Sequence, residues 1–242
     1  MAVVERVPGD TERMERVLDA AAELLVRWGY RRVTIEDVAR RAGVGKGTVY
    51  LHVRTKDALF LTVLLRAQRR LFADLADRMA AEPANALPWR MSRLFYERMR
   101  GDDVCRAVYL GDADVLGRLA HEAVEALGDL ATMREDVAHR YFRLLRDAGL
   151  VADDLPADLQ IHAWGSVVYG YFLTDGLPQV GAPATGGDRG ELLEYTVRRL
   201  LAAPGLDPEH EAGTAASVAT EAAGLYRPLI EHIDTEWHRR TR

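Results

Sequence analysis

The stretch that decides the fold is "TIEDVARRAGVGKGTVYLHVRTKDALF", residues 34–60. Thr34 stands three residues before Asp37, a capping-box arrangement in which a hydroxyl and a carboxylate satisfy free backbone amides at a helix start. Ile35, Val38, Ala39 and Ala42 then form one apolar stripe, and Gly43 ends the helix. The glycines at 43, 45 and 47 read at first as a loop, yet the apolar residues after Gly47 return at helical spacing. The spacing predicts a short helix from about Lys46 to Val53, and Thr55 with Asp57 nearby caps the helix that follows.

Two helices joined by the tight turn Ala42-Gly43-Val44 meet the requirements of a helix-turn-helix, whose second helix enters the DNA major groove with its N-terminal residues nearest the bases. Small residues at Gly45 and Gly47 let the backbone approach DNA closely, and free amides at that end suit phosphate oxygens. Lys46, Arg54 and Lys56 supply charge, while Thr48, Tyr50 and His52 supply hydrogen-bonding groups. The Gly-Lys-Gly-Thr run is not a phosphate loop of the Walker type, because Lys46 is followed by Gly47 rather than by Ser or Thr.

The segment resembles the TetR family of transcriptional regulators, whose pattern runs roughly T-x-x-x-I-A-x-x-A-G-V-S-x-G-T-x-Y-x-H/Y-F-x-x-K-x-x-L. Here it reads Thr34, Val38, Ala39, Ala42, Gly43, Val44, Gly45, Gly47, Thr48, Tyr50, His52, Val53, Lys56 and Leu59. Val53 replaces the usual phenylalanine, Gly45 the common serine, and Leu51 a position that is often polar or aromatic. The resemblance covers roughly residues 11–60, about a quarter of the chain. It implies DNA-contact roles for Thr34, Lys46, Gly47, Thr48, Tyr50, His52 and Lys56. Thr34 and Lys56 are expected on phosphates, Lys46 and Thr48 on base edges. Tyr50 fits either a phosphate contact or a structural ring.

The rest of the chain reads as helix after helix, with no convincing alternating strand. "DTERMERVLDAAAELLVRWGY" puts Met14, Val17, Leu18, Ala21, Leu24, Leu25 and Trp28 on one face, with Gly29 as its stop. From Lys56 to Glu82, Leu59, Val63, Leu64, Ala67, Leu71, Leu75 and Met79 keep one register over several turns. Further helices are expected at 88–100, 104–117, 120–148, 157–175, 190–203 and 207–241, the last interrupted near Gly224 and Pro228. Residues 176–190, "GLPQVGAPATGGDRG", read as a linker. The expected architecture is all-α: a three-helix DNA-binding domain over 1–56, then a larger helical ligand-binding and dimerisation domain over 57–242.

Composition agrees with a DNA-binding head on a different body. Residues 1–60 carry 11 Lys/Arg against 9 Asp/Glu, and residues 61–242 carry 21 against 28, within a net charge of −5. Only the head has the sign that meets a polyanion. A single cysteine, Cys105, excludes an intrachain disulfide and reads as a buried small residue. The first residues lack the apolar core of a signal peptide, and no run of about 18 apolar residues suggests a membrane span, so a cytoplasmic location is expected. No metal or cofactor is expected. His232 and Glu236 stand four apart on a helix, a spacing that more often marks a salt-bridged surface than a metal site.

A single head reads few base pairs, so a homodimer on two half-sites of a palindromic operator is expected. Gly165, Ser166 and Gly170 permit close helix approach, with Ile161, Trp164, Val168, Tyr169 and Phe172 as apolar area. Leu192, Leu193, Val197, Leu200 and Leu201 extend it. The resemblance implies that these two helices form a four-helix bundle with their counterparts; an intrachain core is the alternative. Leu229, Ile233 and Trp237 in the C-terminal segment stand to lengthen that interface. In the middle helices, Trp89, Phe95, Tyr96, Met99 and Tyr109 suit a pocket for an apolar small-molecule effector, as do Met133, Tyr141, Phe142 and Trp164. The same side chains also suit a filled core. Together these readings describe a ligand-responsive repressor, with an activator or a ligand-free regulator as alternatives. An all-helical enzyme is disfavoured, because no nucleophile–base pair or HExxH sequence is present.

Overall fold

A computed structural model describes residues 8–119, 128–175, 177 and 187–241. The expected linker at 176–190 lies largely outside these residues, as does the start of the helix expected from residue 120. In order the elements are α1 (Pro8–Arg32), α2 (Ile35–Ala42), α3 (Lys46–His52) and α4 (Lys56–Ala81), then a 3-10 turn at Pro83–Ala86. There follow α5 (Pro88–Arg100), α6 (Asp103–Leu110), α7 (Ala113–Leu116), α8 (Gly128–Asp147), α9 (Ala157–Leu173), α10 (Arg189–Leu201), α11 (Pro208–Gly224) and α12 (Arg227–Arg240). The described residues contain no strand, only isolated bridges. None of their helices is long and apolar enough to cross a membrane.

The chain divides into two compact units, and not at residue 56. The first comprises residues 1–69, 102–129 and 231–242; the second comprises 70–101 and 130–230. Helix α4 is continuous through the division, since one apolar stripe from Leu59 to Met79 is buried along its whole length. The first unit therefore holds more than a minimal head: α6, α7 and most of α12 pack with it.

In the first unit, α1 buries the expected stripe from Met14 to Leu25, and only Trp28 of that set is exposed. Gly29 leaves helical geometry (φ 73°, ψ 155°) before a last turn to Arg32. A Cβ at Gly29 would lie 2.6 Å from the Asp114 carbonyl oxygen, so α7 packs on α1 only because this residue is bare. Arg66 of α4, almost fully buried, reaches Glu15 and Asp19 of α1 at 2.9 and 2.8 Å. The helix expected over 104–117 breaks at Gly111, which is left-handed (φ 64°), and the Asp112 carboxylate accepts the amides of Asp114 and Val115 to start α7. Cys105 is buried, as expected.

The second unit is built on α5, packed against α10, with α11 against the 3-10 turn. Trp89, Tyr96 and Met99 of α5 and Phe142 and Leu145 of α8 are its buried centre. The interruption expected near Gly224 and Pro228 falls between α11 and α12.

Candidate nucleic-acid interface

The turn between α2 and α3 is fixed by local chemistry. Thr34 Oγ1 accepts the Asp37 amide at 3.2 Å, and the Asp37 carboxylate accepts the Thr34 amide at 3.1 Å and its hydroxyl at 2.6 Å. These Thr34 bonds hold the Asp37 carboxyl below its usual range. Gly43 is left-handed (φ 67°, ψ 35°) and its N–H closes the helix end on Ala39 and Arg40. Val49 of α3 and Ile35, Val38 and Ala39 of α2 are buried between the helices.

What α3 turns outward follows from 100° per residue. With Val49 and His52 inside, Gly47 and Leu51 lie on the opposite face, flanked by Lys46 and Tyr50. Lys46 pairs with Glu36 of α2, which lowers the Glu36 carboxyl and raises the lysine. Tyr50 is exposed, Thr48 half-buried, and Leu51 is 70% exposed. A Cβ built at Gly47 meets no atom within 4 Å.

Two of the expected contact residues are placed otherwise. His52 is 6% exposed, because it shares the inward face with Val49 at i+3, so its side chain packs inside the head instead of facing outward. Lys56, at the start of α4, donates to the Tyr30 carbonyl oxygen at 2.6 Å and stands 4.1 Å above the Tyr30 ring. Burial lowers its pKa. Beside it lies a polar clasp that residue spacing did not reveal. The Tyr30 hydroxyl donates to Asp57, and Arg118 donates to both Asp57 oxygens at 2.8 and 2.7 Å. Burial and the Asp57 hydrogen bond push the Tyr30 hydroxyl up to about 12. Burial acts to raise Asp57, but the Tyr30 and Arg118 bonds outweigh it and hold that carboxyl low.

In the second unit the expected effector residues pack on one another. Tyr141, Phe142 and Trp164 form one ring cluster and Phe95, Tyr96 and Phe172 another. Tyr141 donates to the Ala86 carbonyl at 2.7 Å, and Trp164 Nε1 donates to Ser92 at 2.8 Å. Trp89 and Met99 are fully buried and Met133 is partly exposed. Tyr109 is not grouped with them: it lies on α6, in the first unit. The Tyr96 hydroxyl is buried and forms no hydrogen bond among the described residues, although the nearby Arg189 guanidinium offsets part of the rise in pKa that burial gives it.

The expected dimer residues divide between two faces. Leu193, Val197, Val168 and Phe172 are buried within the unit and do not form part of its exposed face. Leu193 and Val197 form the stripe by which α10 packs on α5, and Phe172 meets the Phe95 ring of α5 edge to face. Ile161 and Gly165 are half-buried, while Tyr169 and Leu200 are exposed. The open apolar face is made instead by Leu159, Tyr169 and Leu173 of α9 with Leu192, Tyr195 and Leu200 of α10, of which Tyr195 is 62% exposed. The C-terminal segment does not extend it, since Ile233 is wholly buried and packs in the first unit. Glu236 is paired with Arg239 and Arg240, which places the His232–Glu236 spacing in an ion-pair cluster.

Residues 17–63, which span α2, the turn and α3, match the family profile of bacterial regulatory proteins of the tetR family. Over these residues the chain is similar to the tetR-type regulators. It is 43% identical over 61 residues to the transcriptional activator FasR of Mycolicibacterium smegmatis, a match covering 25% of this chain and 27% of that one. It is 28% identical over 158 residues to the transcriptional repressor Rv1474c of Mycobacterium tuberculosis, covering 61% and 73%. The match spans about a third of the length of several curated relatives. Among solved structures, the regulator FadR of Bacillus subtilis in complex with stearoyl-CoA superposes with a TM-score of 0.55 at 14% identity, covering 80% of this chain and 99% of that one, and shows the shared fold.

Proposed function

We propose that this chain is a cytoplasmic repressor of the TetR family that binds a palindromic operator as a homodimer through α2 and α3 and is released by a small, largely apolar effector. The observation that carries the DNA-binding reading is Gly47. It lies within α3 at an ordinary negative φ, with open space where a Cβ would stand. Alanine there would favour the helix by roughly 0.5–1 kcal/mol, so nothing inside the chain calls for glycine. A bare backbone on the outward face, flanked by Lys46 and Tyr50, suits close approach to a duplex.

The test is Gly47→Ala, read on duplexes selected from random DNA by the wild-type protein. The expected result is a thermal midpoint equal to or above wild type with affinity for the selected duplex at least tenfold weaker. Unchanged affinity overturns the recognition-helix reading, and selection of duplexes without two-fold symmetry overturns the homodimer.

The repressor assignment is supported by likeness to Rv1474c over 73% of that protein, whereas the FasR match covers 27% of FasR. The effector site is proposed around Tyr96, Phe95 and Phe172, where the buried Tyr96 hydroxyl lies near the Arg189 guanidinium, itself paired with Asp175. Such groups offer polar anchors within an aromatic lining. An effector acts by differential affinity for two states of the dimer, and α4, continuous from the head into the second unit, is the element that couples them.

A further inference from the structure

The end of the chain returns to the recognition helix. α12 is held in the first unit by buried Ile233 and by Arg69 of α4, which grips the Asp234 carboxylate at 2.6 and 3.2 Å. Beyond its last turn, Thr241 forms an isolated antiparallel bridge with Val53, the residue that caps α3. Antiparallel neighbours run in opposite directions, so Arg240 comes beside Arg54, the first residue after the cap.

The charges at this edge do not cancel. The last turn of α12 carries His238, Arg239 and Arg240. The acid among them is Glu236, buried, whose carboxylate accepts from Arg239 at 2.6 Å and also from Arg240. Burial acts to raise that carboxyl, and Arg240, Arg239 and His232 together outweigh it and keep it ionised. One carboxylate thus faces two guanidinium groups, and the Arg239 side chain is 71% exposed. Arg54 is exposed and adds another positive charge. Asp57, three residues further on, is engaged by Tyr30 and Arg118.

A helix lying in a major groove has a phosphate backbone near each of its ends. The C-terminal end of α3 presents carbonyl oxygens and the negative pole of the helix, which repel phosphate. His52, a hydrogen-bonding group expected there, is turned inward. We propose that the C-terminal turn adds positive charge there: Arg239, in the last turn of α12 next to Arg240, binds a DNA phosphate at the end of the recognition helix. On this reading α12 is a component of the DNA-binding surface. The proposal rests on the assignment of α3 as the recognition helix.

The experiment is a salt titration of full-length protein against a fluorescent duplex of random sequence and against a selected duplex, comparing wild type with Arg239→Ala and Arg239→Lys. Arg239 is exposed and Arg240 still neutralises Glu236, so the alanine variant is expected to keep the wild-type thermal midpoint. Its slope of log affinity against log salt is expected to be about one unit shallower on both duplexes. A fourfold rise in salt then costs the variant about fourfold less affinity than it costs wild type. Lysine is expected to restore the slope. An unchanged slope in Arg239→Ala overturns the phosphate contact, whether or not affinity falls, because a fall alone marks a residue that only positions α3. If wild type binds neither duplex, the recognition-helix assignment itself fails, and this proposal with it.

Discussion

Two exposed surfaces among the described residues are opposite in chemistry. The outward face of α3 is bare and polar, with Gly47 at its centre, Lys46 and Tyr50 beside it, and one apolar side chain, Leu51. The outward face of α9 and α10 carries exposed apolar side chains on both helices, Leu159, Tyr169 and Leu173 with Leu192, Tyr195 and Leu200. A hydrated polyanion suits the first surface, where phosphate contacts orient and base edges select. The second needs another apolar surface to remove it from water, and contiguous patches of this kind mark protein interfaces. Each surface also rests on a different foundation. Beneath the head lie polar clasps, Arg66 with Glu15 and Asp19, and Tyr30 with Asp57 and Arg118. Beneath α9 and α10 lie aromatic rings in edge-to-face and tilted contact.

The largest effect is expected where the apolar face is charged. In a Leu173→Asp, Tyr195→Asp variant, each protomer would bury two unpaired carboxylates on association, at several kcal/mol. The expected result is a dimer dissociation constant raised at least 100-fold, seen by light scattering as a monomer, with the thermal midpoint of the monomer unit little changed because both side chains already face solvent. Affinity for a two-half-site duplex should fall with it. A variant that remains dimeric would assign association to some other surface and leave this patch for a different partner.

How far the residues announced each surface depends on how local its determinants are. The α2–α3 turn was readable because Thr34, Asp37 and Gly43 act within a few residues of one another, and each performs the role its type suggests. His52 was misplaced because a polar residue inside a short helix gives no sign of which side the neighbouring helices will cover. The α10 helix carries two apolar stripes, Leu193–Val197–Leu201 and Leu192–Tyr195, on nearly opposite sides. Periodicity finds both, and only packing against α5 decides which is inside. The Tyr30–Asp57–Arg118 clasp joins residues up to 88 positions apart, and no spacing rule reaches so far. The return of α12 to Val53 is non-local in the same way.

A second effect tests the polar foundation of the head. The folded pKa of Tyr30 is raised to about 12 from an ordinary 10, so its contribution is complete below pH 10 and is lost as pH rises through about 12. Tyr226, also raised to about 12 by burial, loses stability in the same window within the second unit. Lys56 acts in the opposite direction just below its ordinary value, since burial lowers its folded pKa. The informative quantity is therefore the difference between wild type and Tyr30→Phe. At neutral pH the variant is expected to lose about 1–2 kcal/mol of stability by urea unfolding, through the hydrogen bond to Asp57. Between pH 10 and 12 its stability should fall less steeply, by up to one proton. Parallel curves for the two proteins would show that the clasp does not hold the Tyr30 proton.

The smallest expected effect concerns the exception on the polar face. Leu51 is one helical turn from Gly47 and among the most exposed large apolar side chains described. An apolar side chain in a major groove gains from contact with the methyl group of thymine, which no other DNA base carries. If Leu51 fills that role, Leu51→Ala weakens a selected duplex by about three- to tenfold, while the random duplex is unaffected because Leu51 contributes nothing to phosphate contacts. Replacing each thymine of the selected site by deoxyuridine in turn removes one methyl group at a time. Wild type should lose several-fold affinity at one position in each half-site, and the alanine variant should lose nothing further there. Additive losses at every position would separate Leu51 from base recognition and leave α3 reading its site through Lys46, Thr48 and Tyr50 alone.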